Sequence, residues 1–229
     1  MKKVVVFTGS GISAESGIKT FRDHDGLWEN YKIEEVATPQ AWIRDPGTVL
    51  SFYNMRRKEV IQARPNAAHI ALADLETHFK VQIITQNIDD LHERAGSSNV
   101  LHLHGEITKA RSSADASLIY PIQGWEMQEG ALCPKGSLLR PHIVWFGEMV
   151  PMLPIAAELV SDADIFIVIG TSLAVYPAAS LVDYAPYDCL KFLIDPSESV
   201  HIPGVEIIRS NAGTGVPLLV ERLLAMDLN

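Results

Sequence analysis

The 229-residue chain carries a formal net charge of −9 and no dense basic run, which excludes an electrostatic nucleic-acid footprint and leaves a basic, lysine-bearing protein unrepelled. With 47% hydrophobic and 21% charged residues it has the composition of a globular protein with a sizeable core, either one domain or a large domain with a smaller insertion. Cys133 and Cys189 make no disulfide framework, the apolar run Val4–Phe7 is too short for a signal-peptide core, and no stretch approaches the roughly 20 apolar residues of a membrane span, so a cytoplasmic protein is expected.

Lys2–Thr8 reads as a buried parallel strand, a continuous β-branched run that ends in glycine. Gly9-Ser10-Gly11-Ile12-Ser13-Ala14 follows at once and fits G-x-G-x-x-A, the dinucleotide-binding pattern with alanine in the third small position. In that pattern the first glycine permits a tight turn, the second lets a pyrophosphate approach the backbone, and the small third residue lets the next helix pack closely. Gly17 weakens any helix here, so a short helix is expected, followed by a polar loop over Asp23–Trp28 that could lie across a ligand.

Residues 31–66 read as helical, with Thr38-Pro39 and Asp45-Pro46 as helix starts. Tyr53 and Arg56, three apart, share a helix face. Pro65–His69 opens another helix, in which His69 is expected to serve as a structural hydrogen-bonding residue.

Val81–Glu106 then concentrates the chemistry. The strand Val81–Thr85 breaks into Gln86-Asn87-Ile88-Asp89-Asp90, and a second strand, Val100–Leu103, delivers His104 against Gly105. Strand ends bearing an amide, a carboxylate and an imidazole are where open α/β sheets place their sites. Asp90 and His92 are assigned to local turn and helix capping. His102 and His104 are expected to point apart and so not to pair as metal ligands.

Residues 107–142 read as an irregular module held by Leu118, Ile119, Tyr120, Ile122, Trp125 and Leu132. Val144–Glu148 is an apolar segment, Ile155–Val160 a helix, and Asp164–Gly170 the clearest buried strand, which ends in the small-residue turn Gly170-Thr171-Ser172. Leu190–Ile194 is a strand ending at Asp195, Val205–Ile208 precedes the turn Ser210–Gly213, and Val216–Ala225 is helical. From these residues alone a dinucleotide oxidoreductase, an ADP-ribosyltransferase and a silent NAD-binding module all stay open.

GSGISAESGIKTFR, QNIDDLH, LHLHGE, RPHIVWFGE and IGTS, in this order between Lys3 and about Leu224, resemble the sirtuin family of NAD-dependent protein-lysine deacylases. The resemblance implies a Rossmann-like parallel sheet with helices on both faces plus a smaller inserted module. The large NAD-binding domain would take residues 1–30, 67–106 and 143–229, and the small domain 31–66 and 107–142. It also implies NAD contacts from Gly9, Ser10 (where alanine is usual), Gly11, Ala14, Phe21, Arg22, Gln86, Asn87, Ile88, Asp89, Gly170, Thr171, Ser172, Asp195 and Ala212. His104 would be the base and Asn87 its ribose-orienting partner. Val144 and Phe146, with Ser172–Val175 opposite, would flank an extended substrate peptide.

Tyr53 and Arg56 resemble the acyl pocket of a bacterial subgroup that accepts succinyl- and malonyl-lysine besides acetyl-lysine. An arginine fork beside a phenol suits a carboxylate at the end of an acyl chain. Asp195 stands where asparagine is typical, and a carboxylate there favours NAD over NADP. The family's structural zinc is expected to be absent: Arg111–Ser117 lacks the first cysteine pair, and Cys133 alone remains of the second. A monomer is favoured, and no nucleic-acid or membrane partner is expected.

Overall fold

The structure is a computed structural model and describes residues 1–19, 31–171, 178–197 and 204–226. The expected nucleotide contacts of Phe21, Arg22 and Ser172, the expected loop Asp23–Trp28 and the expected peptide flank Ser172–Val175 lie outside the described residues.

In chain order the elements are β1 (Lys3–Thr8), α1 (Gly11–Ala14), α2 (Ile33–Val36), α3 (Pro39–Arg44), α4 (Pro46–Gln62), α5 (Ala67–Leu75), β2 (Lys80–Thr85), α6 (Leu91–Ala95), β3 (Val100–His102) and β4 (Gly105–Ser112). There follow β5 (Ile119–Pro121), β6 (Leu139–Ile143), α7 (Leu153–Ser161), β7 (Ile165–Ile169), a 3₁₀ turn (Ala178–Tyr184), β8 (Leu190–Ile194), β9 (Glu206–Ile208) and α8 (Ala212–Ala225).

Six strands form one parallel sheet in the order β3-β2-β1-β7-β8-β9. The chain winds outward from β1 in one direction through β2 and β3, then in the other through β7, β8 and β9. This is the doubly wound, Rossmann-like arrangement, with its switch point between β1 and β7. Because side chains alternate across a strand, each strand feeds two cores. Val4, Val6, Ile83, Ile167 and Ile169 pack against Leu72 and Leu75 of α5 and Val216, Leu219 and Leu223 of α8. Val5, Phe7, Ile84, Phe166 and Val168 pack on the other face against Ala156 and Val160 of α7 and Leu181 of the 3₁₀ turn. Burial on both faces explains why these strands read as continuous apolar runs.

The smaller module is an antiparallel sheet, β5-β4-β6, packed beside helices α2–α4. The helix starts at Thr38 and Asp45 are realised: each side chain accepts a backbone N–H, from Ala41 (3.1 Å) and Thr48 (3.0 Å), with proline in the first turn. The apolar set expected to hold the module contributes Ile122 but not the packing centre. Ile119, Trp125 and Leu132 are exposed, and the packing centre is Leu50, Ala110 and Met127, with Trp42, Ile122 and Leu139 around it. Polar side chains of α4 supply the rest. The fully buried Arg57 donates to the carbonyls of Ile107 (2.6 Å) and Trp125 (2.8 Å), and Asn54 exchanges two hydrogen bonds with the backbone of Met127 (3.0 and 2.9 Å). Local apolar character fails here because irregular backbone must be satisfied by polar partners from elsewhere.

Helix α8 begins four residues before the expected Val216. Gly213 and Gly215 are poor helix formers, but the Glu15 carboxylate accepts from Gly213 N (2.6 Å), and Gly215 admits Ile194, which a Cβ would approach to 2.7 Å.

His69 opens α5 and, as expected, is structural: its Nδ1 accepts from Asn66 N at 3.4 Å, closing a capping box. Burial pulls its pKa down to about 4, and its neighbour His92, 4.9 Å away ring to ring, is likewise held well below the usual value by burial. Both imidazoles are therefore neutral when folded. The unfolded chain takes up protons below about pH 6.5, so stability is undiminished above that pH and is lost progressively towards pH 4. His69 alone should cost on the order of 2 kcal/mol at pH 5. The urea midpoint is expected to fall between pH 7.5 and pH 5, and His69→Gln should shrink that fall; an unchanged difference would place the acid sensitivity elsewhere.

Candidate active site

The site begins where β1 and β7 end side by side. Gly9 N donates to Ile169 O (3.0 Å) and Gly11 N to Gly170 O (2.9 Å), so the two turns are bonded backbone to backbone. A Cβ on Gly11 would lie 2.6 Å from Gly170 Cα, and one on Gly9 would lie 2.7 Å from Thr171 Cβ. Gly170 itself has φ +59°, and its own Cβ would meet Ile12 N at 2.6 Å. The glycines are thus required by the contact between the two turns, a constraint the motif alone did not disclose. Ser10 lies between them, partly buried, while Ala14 is exposed at the end of α1.

The loop after β2 is tied to this seam. Gln86 Nε2 donates to Thr171 Oγ1 (3.1 Å). Asn87 Nδ2 donates to Gly9 O (3.1 Å) and to Ser13 Oγ (3.0 Å). Since Gly9 O can only accept, the amide orientation of Asn87 is fixed, and Oδ1 is the end that can accept from a ligand hydroxyl. Ser13 donates onward to Asp89 Oδ2 (3.0 Å), while Asp89 Oδ1 accepts from Leu91 N (3.2 Å). Burial raises the Asp89 carboxyl above its usual value. Ile88 is partly buried beside it, and its carbonyl accepts from Ile107 N (2.8 Å).

Ser13 went unrecognised in the sequence as a site residue, although it joins Asn87 to Asp89. Its only signal was a hydroxyl within a turn that otherwise favours small apolar residues. The capping role expected of Asp90 falls to Asp89, and Asp90 pairs instead with Arg94 (3.3 Å). Nor is His92 a cap. It is buried, with Nε2 3.2 Å from Thr8 Oγ1.

His104 Nδ1 lies 3.0 Å from Gln86 O. A carbonyl only accepts, so Nδ1 carries the hydrogen and Nε2 is left as the basic nitrogen of the neutral ring. Burial lowers the His104 pKa, against a smaller opposing effect of the Gln86 bond. Strand alternation does not separate His102 from His104, because residues two apart on a regular strand share a face. What distinguishes them is that β3 ends at His102, after which each ring has its own partner: His102 bonds Asn87 O (3.0 Å) and Glu93 (2.7 Å). Among the described residues no group of three or more His, Cys, Asp or Glu side chains could hold a metal ion.

Asp195 directly follows β8, with Oδ1 accepting from Ser197 N (2.8 Å), and Ala212 is buried at the start of α8. Tyr53 and Arg56 are both buried on α4. Tyr53 Oη accepts from Trp145 Nε1 (3.0 Å), and Arg56 reaches Glu59 (3.2 Å) and the carbonyl of Lys19 (3.2 Å). Val144 N donates to His104 O (2.9 Å) and Phe146 N to Ala37 O (3.0 Å). Those two amides are used within the fold, so a strand added at this edge would have to draw on other backbone groups. The side chain of Phe146 is exposed.

The Sir2 family model matches residues 9–177, a span that holds the glycine turn, the Asn87 loop, His104 and the Gly170 turn. The chain belongs to the Sir2 family. It is 53% identical to an NAD-dependent protein deacylase of Helicobacter pylori (strain ATCC 700392 / 26695) over 99% of both chains, and 49% identical to one of Bacteroides thetaiotaomicron over 98% of this chain and 99% of that one. A solved Sir2 homologue, a mutant in complex with ADP-ribose, superposes with a TM-score of 0.90 at 43% identity, covering 100% of this chain and 95% of the other. A Sir2 homologue–NAD complex gives a TM-score of 0.86 at 43% identity, covering 97% and 90%.

In this Sir2-family protein the lowered pKa of His104 keeps its ring neutral to a more acidic pH than a solvent-exposed imidazole. An NMR titration of the His104 ring should show a midpoint below 6.5, and His104→Gln should identify the resonance by deleting it. A midpoint at or above 6.5 would contradict the burial argument.

Proposed function

We propose that the protein is an NAD-dependent protein-lysine deacylase that releases nicotinamide and O-acyl-ADP-ribose. The observation that carries this is the junction of a doubly wound switch point with the bonded set Asn87, Ser13 and Asp89, and with His104 held beside it on the Gln86 carbonyl. Sir2 membership, deacylase relatives of nearly full-length match and solved homologues with NAD or ADP-ribose support it. The residues fit a dinucleotide: small turns lie at the β1/β7 crevice, Asn87 has an amide oxygen able to accept, and Asp195 has a second carboxylate oxygen beyond the one bonded to Ser197.

When bound, NAD supplies an electrophilic ribose carbon and a nicotinamide leaving group. Asn87 would orient the ribose hydroxyls. Asp89, kept by Ser13 and Leu91 N, would accept from the nicotinamide carboxamide, and His104 Nε2 would take a ribose hydroxyl proton at neutral pH. Gly9, Ser10, Gly11, Ala14, Gln86, Ile88, Gly170, Thr171 and Ala212 would line the nucleotide, and Val144 and Phe146 the peptide. Residues 1–30, 67–106 and 143–229 would bind the nucleotide, while 31–66 and 107–142 form the small domain. The enzyme would act as a cytoplasmic monomer; among the described residues no helix is long and apolar enough to cross a membrane.

Its acyl range would extend from acetyl to succinyl and malonyl. Supporting this, Arg56 and Tyr53 are both buried one helical turn apart, Tyr53 lies in the aromatic cluster of Trp42, Phe52 and Trp145, and the phenol already accepts from Trp145, so its own hydrogen is directed to another acceptor. A single kinetic comparison of acetyl-, succinyl- and malonyl-lysine peptides with NAD tests both levels. His104→Ala should abolish deacylation while NAD binding survives; equal loss of binding would make His104 structural. Arg56→Met should cost desuccinylation on the order of 100-fold, the scale of an unpaired buried carboxylate, and spare deacetylation. Equal losses would remove the carboxylate receptor.

The small domain is proposed to be stable without zinc. Cys133 Sγ lies 3.0 Å from Ser137 Oγ, which is 2.6 Å from Ser112 Oγ, and the Ser137 bond draws the thiol pKa down to about 7. Hydrogen bonds thus join residues of the two segments that a metal would otherwise link. Elemental analysis of untagged protein should find well under one zinc per chain; about one equivalent would overturn this.

A further inference from the structure

Asn87 sits in a loop with no ladder of its own, so the aim of its amide depends on how its backbone is held. Its N–H donates to Thr85 Oγ1 (3.0 Å), a hydroxyl that itself accepts from Thr8 Oγ1 (2.8 Å). Its carbonyl accepts from His102 Nδ1 (3.0 Å), which must carry a hydrogen because a carbonyl only accepts. The second ring nitrogen, Nε2, is 2.7 Å from Glu93 Oε1. The His102 side chain is 8% exposed and that of Glu93 40%. A half-exposed carboxylate therefore reaches, through a buried imidazole, the backbone of the residue assigned to orient the ribose.

We infer that His102, oriented by Glu93, is a positioning residue for Asn87. The inference rests on the assignment of Asn87 and His104 given above. The histidines around this loop then have separate roles. His92 lies beside Thr8 behind the N–H side of Asn87, His102 holds its carbonyl, and His104 is the base held on the carbonyl of Gln86.

Both bonds of His102 are satisfied only when both ring nitrogens carry hydrogen. Burial opposes the charged ring, but the Glu93 bond and charge, the Asn87 carbonyl and the charge of Glu106 outweigh it, and the pKa lies above the ordinary imidazole value. The other charged and titratable groups around the pair are Asp89, whose carboxyl feels His102; His92, kept neutral chiefly by burial, with smaller contributions from His69 and His102; and Lys109, which bonds Glu106 (2.7 Å) and acts on Glu93. Deprotonation leaves one partner without a hydrogen, so the hold on Asn87 weakens as pH rises through the raised pKa. The acid limb of activity would belong to His104, which must be neutral to act, and an alkaline limb to His102.

Steady-state pH profiles of the full-length enzyme with NAD and an acetyl-lysine peptide test this. His102→Leu should lower kcat about tenfold near neutral pH, the scale of about one hydrogen bond, with peptide KM within about twofold, and should erase the alkaline limb. His102→Gln retains an N–H donor and should recover most of kcat without that limb. Glu93→Gln, a change at a half-exposed position, should leave the fold intact and move the limb to lower pH; it decides the matter if His102→Leu does not fold. A wild-type kcat and profile in His102→Leu, or an unmoved limb in Glu93→Gln, would overturn the inference. His104→Ala is the separate control: if it stays active, the assignment of the base fails, whereas if it is dead and the Glu93 and His102 variants behave as wild type, only the positioning role fails.

Discussion

The backbone contact between Gly11 and Gly170 is the constraint on which the remainder of the site depends. Two turns at the ends of adjacent parallel strands approach so closely that a Cβ on either one would fall within 2.6 Å of the other. That approach closes the base of the switch-point crevice. It also fixes the carbonyl of Gly9, to which the Asn87 amide is bonded, and Thr171, to which Gln86 is bonded. Any side chain in the seam would separate the turns and release both anchors together.

From that seam the loop after β2 is held group by group. Its side chains bond inward to Gly9, Ser13 and Thr171, and its carbonyls are held by His102 and His104. Such arrangements let irregular backbone carry chemistry, since each buried polar group that would otherwise lack a partner finds one. The same logic holds the smaller module. Arg57 and Asn54 of α4 satisfy its backbone, and Glu148 accepts from Arg140 (2.8 Å) and Arg111 (3.2 Å) while Arg140 stacks on Trp145. Trp145 in turn donates to Tyr53, so the aromatic cluster and the proposed acyl receptor share one network.

The long strands were legible because burial on both faces demands uninterrupted β-branched and aromatic residues, and Leu190–Ile194 begins and ends where the sequence put it. Capped helix starts were equally legible, since Thr38 and Asp45 act on amides three residues away. The start of α8 was not, because the carboxylate that satisfies its first turn comes from Glu15, at the far end of the chain.

By itself, then, the sequence determined the parallel sheet, the glycine turns, the order of the motifs, and the presence of Asn87, Asp89 and His104 at strand ends, for these follow from local pattern and from residue chemistry. Only the tertiary structure decided why Gly11 must be glycine, that Ser13 joins Asn87 to Asp89, that Asp89 rather than Asp90 meets the α6 backbone, and that Met127 rather than Trp125 centres the small module. Each of these turns on a contact between segments distant in the chain, or on which of two neighbouring side chains faces inward. Neither is encoded in local composition; both are set when the two turns meet at the end of the sheet.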